Sequence, residues 1–336
     1  MAKQRIEYID LAKGFCIILV VFHHANTALD NIDFALRDAL CVFRMPLYFF
    51  LSGLFFKTYE GYIGFLKRKV NKLLLPFLFF HIVSFFVVPL LNEKTLEWAK
   101  LWDFLFRQYN GLNGPLWFLL CLFWVNQIFY VTHKIAYSTK YPLGVLMGIS
   151  FILGGAGYLT GGTTYNIEAM NIGTAMTAMP FYCMGYIFNR HTDILRPNKW
   201  DCYLVPFAAV CAFYTVLTTD GMVKYFINQY ECNIFVTYTA GMSGILFILF
   251  ISKFLKRLPL VSYFGRFSII ILVTHMPLIQ RVMPLVFRLH LPYWWMESIL
   301  GTIIVLLASL VIIPLCLRFF PYVTAQKDLI PIKTDK

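Results

Sequence analysis

The fold class is decided by apolar windows such as residues 11–29, which read LAKGFCIILVVFHHANTAL. A helix needs about 17 to 25 mostly apolar residues to cross the hydrocarbon core of a bilayer, and this window is long enough. Similar windows recur along the whole chain. The ten predicted spans are residues 11–29, 40–56, 73–91, 115–132, 142–159, 172–188, 203–218, 233–252, 267–286 and 297–317. The sequence therefore predicts an all-α polytopic membrane protein.

The composition excludes an ordinary soluble protein. Of the 336 residues, 59% are hydrophobic, 18% are aromatic and only 14% are charged. Soluble domains carry roughly 25% charged residues, and a water-exposed surface this rich in aromatic residues would aggregate. The net charge of +12 is therefore better explained by the arrangement of the loops than by a nucleic-acid partner.

The positive charges fall mainly on one side of the predicted bilayer. With a cytoplasmic N-terminus, 21 of the 29 Lys and Arg lie in the inner segments or at the inner ends of the spans. The inner side then has 21 basic and 7 acidic residues, net +14, and the outer side has 8 basic and 10 acidic residues, net −2. Because cytoplasmic loops carry an excess of Lys and Arg, both termini are predicted to be cytoplasmic.

The chain is predicted to form one domain. We expect a single transmembrane domain over residues 1–320 and a polar, disordered cytoplasmic tail over residues 321–336. The eight cysteines form no CxxC pair, and no Cys/His cluster has metal spacing, so no metal site is predicted. A secretory signal peptide over the first apolar run is disfavoured because His23 and His24 interrupt it.

Titratable side chains inside the predicted spans are candidates for function, because a charge at bilayer depth is expensive. They are His23, His24, Arg44, His81, His275 and Arg281. We interpret His23 and His81 as packing residues. No Asp or Glu lies in the middle of a predicted span. Ion-coupled transporters commonly use such carboxylates, so the set favours general-base catalysis and anion stabilisation over cation coupling.

Lys13 and His24 are predicted to share one face of the first helix. Eleven helical steps of about 100° end about 20° past three full turns. Asp10 lies on the same face, whereas His23 points about 100° away. At about 1.5 Å per residue, His24 lies about 16 Å beyond Lys13 and in the outer half of the bilayer. Arg44, near the outer start of the second span, is expected at a similar depth.

The start of the chain resembles the N-terminal signature of the membrane-bound acyltransferase family 3. Residues 5–14 read RIEYIDLAKG and lead into the apolar run that ends at His24. The family's signature is a basic residue, ten intervening residues and a catalytic His on the first helix. These two positions correspond to Lys13 and His24 in this sequence.

Later blocks are similar to further motifs of the family in the same order. Residues 43–53, FRMPLYFFLSG, resemble its second-helix motif, in which a His often stands at the position of Arg44. Residues 67–77, KRKVNKLLLPF, are similar to its basic start of the third helix. Residues 114–119, GPLWFL, and residues 268–275, SIIILVTH, followed by a proline, resemble later blocks. The predicted spans five to eight are only generic hydrophobic helices.

The resemblance implies an acyltransferase that crosses the cell (inner) membrane several times. Such enzymes move an acyl group, commonly acetyl, from cytoplasmic acyl-CoA to a hydroxyl, or sometimes an amine, of a cell-envelope glycan or lipid-linked sugar. Acetyl-CoA is then a co-substrate, and no permanently bound cofactor is expected. The expected partners are acyl-CoA, the acceptor and the lipid bilayer, with no nucleic acid.

Two residues are assigned to the reaction itself. We predict that His24 is the general base and that Arg44 stabilises the thioester oxyanion or the acceptor. An imidazole with an ordinary pKa, about 6.5, is largely neutral and able to accept a proton at physiological pH. A covalent acyl-His intermediate is the less favoured alternative, because histidine acts more rarely as a nucleophile than as a base.

The remaining candidates are assigned to the two substrates. The acyl-CoA candidates are Lys13, Lys67, Arg68, Lys69, Lys72 and Arg266, and the acceptor candidates are Trp117, His275, Arg281 and Asp10. Simpler explanations exist for several of them. Positive-inside charge explains the basic residues without a ligand, and Lys13 could pair with Asp10 one turn earlier. Trp117 fits an interfacial aromatic belt, and the two intramembrane arginines fit snorkelling to the headgroups.

Two other classes of protein stay open at the level of sequence. A transporter or flippase for a glycan or a small anion fits the ten predicted helices and the intramembrane Arg residues. The absence of core carboxylates and of two matching halves in the sequence counts against it. A structural or signalling membrane protein would leave the alignment of Lys13 with His24 without a reason.

Overall fold

The computed structural model describes residues 6–26, 34–91, 95–109, 111, 113–192, 196 and 203–332. Arg5, at the start of the N-terminal signature, and the last four residues of the predicted tail lie outside these ranges. The helices are α1 Glu7–Asn26, α2 Phe34–Leu54, α3 Tyr62–Lys69, α4 Leu75–Leu91, α5 Ala99–Trp102, α6 Trp117–Tyr137, α7 Pro142–Thr160, α8 Ile172–His191, α9 Leu204–Thr218, α10 Ile234–Leu255, α11 Pro259–Arg266, α12 Ser268–Phe287 and α13 Trp294–Phe319.

Short elements connect these helices at several points. The strands β1 Val223–Lys224 and β2 Gln229–Tyr230 pair antiparallel and form a hairpin between α9 and α10. A π-helical turn, Val70–Leu74, joins α3 to α4. Three-residue 3₁₀ turns lie at Asp103–Leu105, Gly114–Leu116, Ala169–Asn171 and Tyr225–Ile227.

The helical, multi-pass class predicted from the sequence is confirmed. Within the described ranges, 7 helical segments are long and apolar enough to cross a membrane. They are Glu7–Asn26, Tyr62–Leu90, Gly114–Tyr137, Pro142–Thr160, Ile234–Leu255, Ser268–Phe287 and Trp295–Phe319. The predicted windows 40–56, 172–188 and 203–218 coincide with α2, α8 and α9. Of these, α2 begins at Phe34, so that Arg44 lies in the middle of the helix rather than near its start.

The helix that carries His24 lies inside the bundle. α1 packs against α2, α10, α11, α12 and α13. Its closest neighbour is α11, where glycines allow the two backbones to touch. A Cβ on Gly14 would overlap the carbonyl of Val261, and a Cβ on Gly265 would overlap the carbonyl of Asp10. Small residues permit this kind of close helix packing in membranes.

The stretch 321–332, which the sequence predicts as part of a disordered tail, is folded against the π-helical turn. The side-chain amide of Asn71 donates to the carbonyl of Ile330 at 2.9 Å and accepts from the backbone N–H groups of Leu329 and Ile330 at 3.1 and 2.9 Å. Lys72 forms an ion pair with Asp328 at 3.0 Å. The polar composition did not reveal this contact because Asn71, its completely buried partner, is distant in sequence.

Candidate active site

A cavity of about 310 Å³ lies at the end of the bundle where α1 ends and α6 begins. His24 from α1, Arg44 from α2 and Trp117 from α6 all line it. The hairpin between α9 and α10 contributes Lys224 and Tyr225 to the same cavity. Three residues predicted from sequence on separate helices therefore meet at one site.

Three histidine rings lie close together at this cavity. The ring of His24 lies 5.2 Å from that of His275 and 5.3 Å from that of His23, centroid to centroid. His24 is half-buried and His275 is completely buried behind it. His23, predicted to point away, also lines the cavity. Helical periodicity placed only His24 on the functional face of α1. The cavity is wide enough for two adjacent residues, His23 and His24, to border it.

The proton on His275 is placed by its own helix. Its Nδ1 lies 2.9 Å from the carbonyl oxygen of Ile271. A carbonyl can only accept, so Nδ1 carries a hydrogen, and the lone pair of a neutral ring is then on Nε2. This Nε2 is buried and makes no hydrogen bond to any residue that the structure describes. In the neutral ring, this Nε2 is an acceptor directly beside His24.

Arg44 brings a guanidinium into the cavity. The residue is 9% exposed, and its Nη1 is buried without a hydrogen bond to any described residue. Its backbone carbonyl accepts from the Cys16 thiol of α1 at 2.9 Å. This contact links α2 to α1 at the level of the cavity. A buried N–H group without a protein partner is well suited to bind an anionic or carbonyl oxygen of a ligand.

A proline helps to place Arg44. Pro46 has no N–H, so the carbonyl of Val42 lacks the usual helical partner four residues later. The hydroxyl of Tyr225, from the hairpin, lies 3.5 Å from this carbonyl. Tyr225 is outside the helical spans, and burial raises the pKa of its phenol well above the ordinary value. It therefore remains a neutral donor to the turn of α2 that carries Arg44.

The hairpin is held in place by Asn228, which adopts a left-handed backbone conformation with φ of 52°. Its Nδ2 donates to the carbonyl of Gly157 and to Oδ1 of Asn166, each at 2.9 Å. Its Oδ1 accepts from the hydroxyl of Thr177 at 3.1 Å. Asparagine tolerates this conformation better than most residues. The hairpin is thus anchored to α7 and α8, and one wall of the cavity has a defined position.

Tyr109 forms another wall that the sequence did not reveal. It is 2% exposed and lines the cavity. His81 Nε2 lies 3.0 Å from the carbonyl of Leu101, so it is the donor there. Its Nδ1 must then accept from the Tyr109 hydroxyl at 3.1 Å. Burial raises the pKa of Tyr109, which keeps this donor protonated. His81 therefore orients a residue of the site without reaching the cavity.

The residues that the sequence missed share one property. Tyr109, Lys224 and Tyr225 lie in connecting segments, where no periodic pattern indicates which side chains face inward. Lys224 also forms an ion pair with Glu231 at 3.1 Å across the hairpin. Their only signal in the sequence was a polar or aromatic residue between apolar windows, and many loops share that signal.

The predicted acyl-CoA residues lie toward the opposite end of the helices. Lys13 is near the start of α1, and its Nζ lies 5.9 Å from the centre of the Phe55 ring. Arg68 lies over the ring of Tyr59 at 4.3 Å, and its Nε is buried without a partner among the described residues. Lys69 lies over Phe65 at 5.2 Å.

Lys67 and Arg266 are exposed on this end. Lys72 already binds Asp328, and it also donates to the carbonyl of Ala325 at 2.8 Å. The basic residues are therefore grouped around the junction of α3 and α4 and the start of α12, and one of them is partly neutralised by the chain itself.

Three of the four predicted acceptor residues do not line the cavity. Asp10 is buried near the start of α1, where its carbonyl contacts Gly265. Arg281 is exposed on the second half of α12. Of the four predicted acceptor residues, only Trp117 borders the cavity, and His275 lies behind its wall. No group of three His, Cys, Asp or Glu side chains within the described ranges could hold a metal ion.

The comparison with protein families agrees with the resemblance drawn from the motifs. The family described as an acyltransferase domain matches residues 6–317, which is nearly the whole chain. No curated protein and no solved structure matches the chain significantly. The matched region contains the cavity, its three histidines, Arg44 and the basic residues at the opposite end. The chain belongs to the acyltransferase family 3 of membrane proteins.

Proposed function

We propose that this protein transfers an acyl group, most simply acetyl, from cytoplasmic acyl-CoA to a hydroxyl of a cell-envelope glycan or lipid-linked sugar. The observation that supports it is the cavity shared by His24, Arg44 and Trp117. In this proposal the protein crosses the cell (inner) membrane ten times with both termini in the cytoplasm. Acyl-CoA is a co-substrate, and no cofactor remains bound.

His24 acts as the general base. It removes the proton from the acceptor hydroxyl, and the oxygen attacks the carbonyl carbon of the thioester. The tetrahedral intermediate collapses, the carbon–sulfur bond breaks, and the protonated His24 returns its proton to the departing CoA thiolate. One hydroxyl and one thioester thus give one ester and one thiol. His24 is half-buried on the cavity wall, which supports its contact with a bound substrate.

Arg44 and His275 support this step in different ways. The unpartnered Nη1 of Arg44 donates to the oxyanion of the tetrahedral intermediate, where a fixed donor is worth most. His275 is completely buried and does not border the cavity, which favours a role in orienting His24 over the predicted contact with the acceptor. His275 Nε2 makes no hydrogen bond to a described residue, and in this proposal it accepts one, when the substrates bind, from the ring nitrogen of His24 that is not used as the base.

The two substrates enter from opposite ends. Lys67, Arg68, Lys69 and Arg266 hold the phosphates of acyl-CoA, and Lys13 lies along the path of the pantetheine arm. Lys72 contributes less to phosphate binding than predicted, because its ammonium group already pairs with Asp328 and the carbonyl of Ala325. The acceptor enters at the cavity, where Trp117 stacks on a sugar ring. Asp10 and Arg281, which lie away from the cavity, have no part in the proposed site.

The proposal is tested with purified protein in liposomes, labelled acetyl-CoA and a panel of envelope glycans. His24→Ala should lower the transfer of label to glycan by roughly 10² to 10⁴-fold, because a general base contributes about that much. His133→Ala is the matched control, since His133 is a histidine of α6 that lies outside the cavity.

Three results would contradict parts of this proposal. Wild-type activity in a correctly folded His24→Ala protein would exclude His24 as the base. Movement of a glycan across the liposome membrane without covalent transfer would favour a transporter. A labelled protein that accumulates before product forms, and that His24→Ala abolishes, would replace the base by a covalent acyl-His intermediate.

A further inference from the structure

A second proline breaks the helix that carries His275. Pro277 has no N–H, so the carbonyl of Val273 cannot form its normal hydrogen bond within α12. The affected turn contains His275 itself and lies directly after Leu272, which lines the cavity. A buried carbonyl left without a donor is costly, and the turn could close in more than one way. Something outside α12 must therefore fix this turn.

Asn113 provides the missing donor. Its Nδ2 lies 2.8 Å from the carbonyl oxygen of Val273 and 3.3 Å from the hydroxyl oxygen of Ser84 on α4. The orientation of the amide is fixed, because a backbone carbonyl can only accept and must face the nitrogen. Asn113 is 0% exposed. Its Oδ1 makes no hydrogen bond to any described residue, so the side chain is held by donation alone.

Asn113 also stands next to the cavity. It directly precedes the 3₁₀ turn Gly114–Leu116, whose Gly114 and Pro115 line the cavity, and Trp117 follows at once. One amide thus joins the segment that presents Trp117 to the turn that presents His275. We propose that Asn113 is a positioning residue, which holds the break at Pro277 in the one geometry that places His275 against His24. This inference rests on the proposed acyl transfer.

At both proline breaks of the site, a side chain from another segment donates to the carbonyl that the proline leaves without its helical partner. The two hydrogen bonds differ in length. In α2, the carbonyl released by Pro46 accepts from the Tyr225 hydroxyl at 3.5 Å. In α12, the carbonyl released by Pro277 has the Asn113 amide at 2.8 Å. Hydrogen bonds weaken at the longer distance. The geometry of the His275 turn is therefore expected to depend on its external donor more strongly than that of the Arg44 turn.

The first test is a kinetic double-mutant cycle. Asn113→Ala should lower kcat by roughly 10 to 100-fold, because small displacements of catalytic groups have effects of this size. The KM for acetyl-CoA should not change, since the residues proposed to bind acetyl-CoA lie at the opposite end of the helices. Asn113→Leu should be as slow, because a side chain of similar size has no group that can donate. Pro277→Ala restores an N–H for the Val273 carbonyl, so Asn113→Ala should cost clearly less in that background.

The controls separate positioning from general stability. Pro284→Ala, in the same helix, should not reduce the cost of Asn113→Ala. Asn126→Ala removes another buried asparagine, which is 1% exposed and bonded to Tyr182 and Leu122 within the helix bundle. At equal thermal stability, this control should keep kcat near that of the wild type. Equal losses at Asn126 and Asn113, or a cycle with no coupling to Pro277, would overturn the inference.

A spectroscopic measurement that needs no acyl transfer tests the same inference in variants that are inactive for other reasons. ¹⁵N-histidine magnetic resonance reports the protonation and hydrogen bonding of each ring nitrogen, and His275→Gln assigns the His275 signals by their loss. Asn113→Ala should shift the signals of His275 and His24, and Asn126→Ala should not. Unchanged signals would overturn the positioning role even if the proposed transfer is correct. Shifted signals in a protein that acylates nothing would contradict the proposed function but keep the structural link.

Discussion

The guanidinium of Arg44 is buried in the middle of α2. Its helix would be more stable with an apolar residue here, because a buried guanidinium nitrogen without a partner costs free energy. Membrane proteins retain such a group where it has a task. Arg44 could bind either an anionic group of a substrate or an oxyanion, since both accept a hydrogen bond from a fixed N–H group.

Substitution of Arg44 separates catalysis from folding. Arg44→Met should lower kcat for acetyl transfer by about 10² to 10³-fold, the usual cost of removing one oxyanion donor. Arg44→Lys should recover only part of this loss, because an ammonium cannot reproduce the planar fork of a guanidinium. Thermal unfolding in detergent should show both variants folded. A folded Arg44→Met protein with normal kcat would exclude Arg44 from the reaction.

The packing of α2 against its neighbour α8 depends on small residues. α2, which carries Arg44, touches α8 through two glycines. A Cβ on Gly53 would overlap the carbonyl of Tyr182, and a Cβ on Gly185 would overlap the carbonyl of Phe50. Backbones are rigid, so a side chain at either position would force the helices apart. The position of α2, and with it that of Arg44, depends on these two small residues.

A pair of alanine substitutions tests this contact. Gly185→Ala should destabilise the protein by about 1 to 3 kcal/mol, the usual cost of overpacking. Gly148→Ala on α7 is the control, because a Cβ there meets nothing within 4 Å. Alanine also favours helix over glycine by up to about 1 kcal/mol, so the control should be neutral or more stable. Equal thermal unfolding temperatures for the two variants would show that α2 and α8 are less tightly joined than the structure indicates.

In the whole molecule, the candidate active site and the group of basic residues lie far apart. The cavity with its histidines lies at one end of the helices, and the basic residues around the α3–α4 junction lie at the other. A thioester donor bound by its phosphates at the basic end would have to extend its acyl arm along the bundle. The helical distance of about 16 Å between Lys13 and His24 gives the scale of that path. This separation is what the proposed reaction requires if its two substrates enter from opposite ends of the helices.

The orientation is tested by cysteine labelling of intact cells. Ser138→Cys, in the loop between α6 and α7, should be protected from a membrane-impermeant maleimide, and Thr164→Cys, in the loop between α7 and α8, should react. Both residues are exposed. The described native cysteines are all buried, and Cys202, which lies outside the described residues, is replaced by Ser beforehand. The opposite labelling pattern would invert the topology, and the cavity would then face the cytoplasm.

Local patterns in the amino-acid sequence predict the helices and two candidate residues of the site. Apolar windows, helical periodicity and the cost of a charge in lipid are local properties, so they located the spans, His24 and Arg44. Periodicity also aligned Lys13 with His24. It could not assign a boundary such as the start of α2, because the charged first turn of that helix does not resemble a membrane span.

Contacts between residues that are distant in sequence become visible only in the packed helices. Asn113 and Val273 are 160 positions apart, and Tyr225 and Val42 are 183 apart. No local pattern couples such residues. The same holds for Asn71 and the C-terminal segment, which a polar composition indicated as disordered. Burial beside one specific partner determines these contacts, and that partner exists only once the helices are packed.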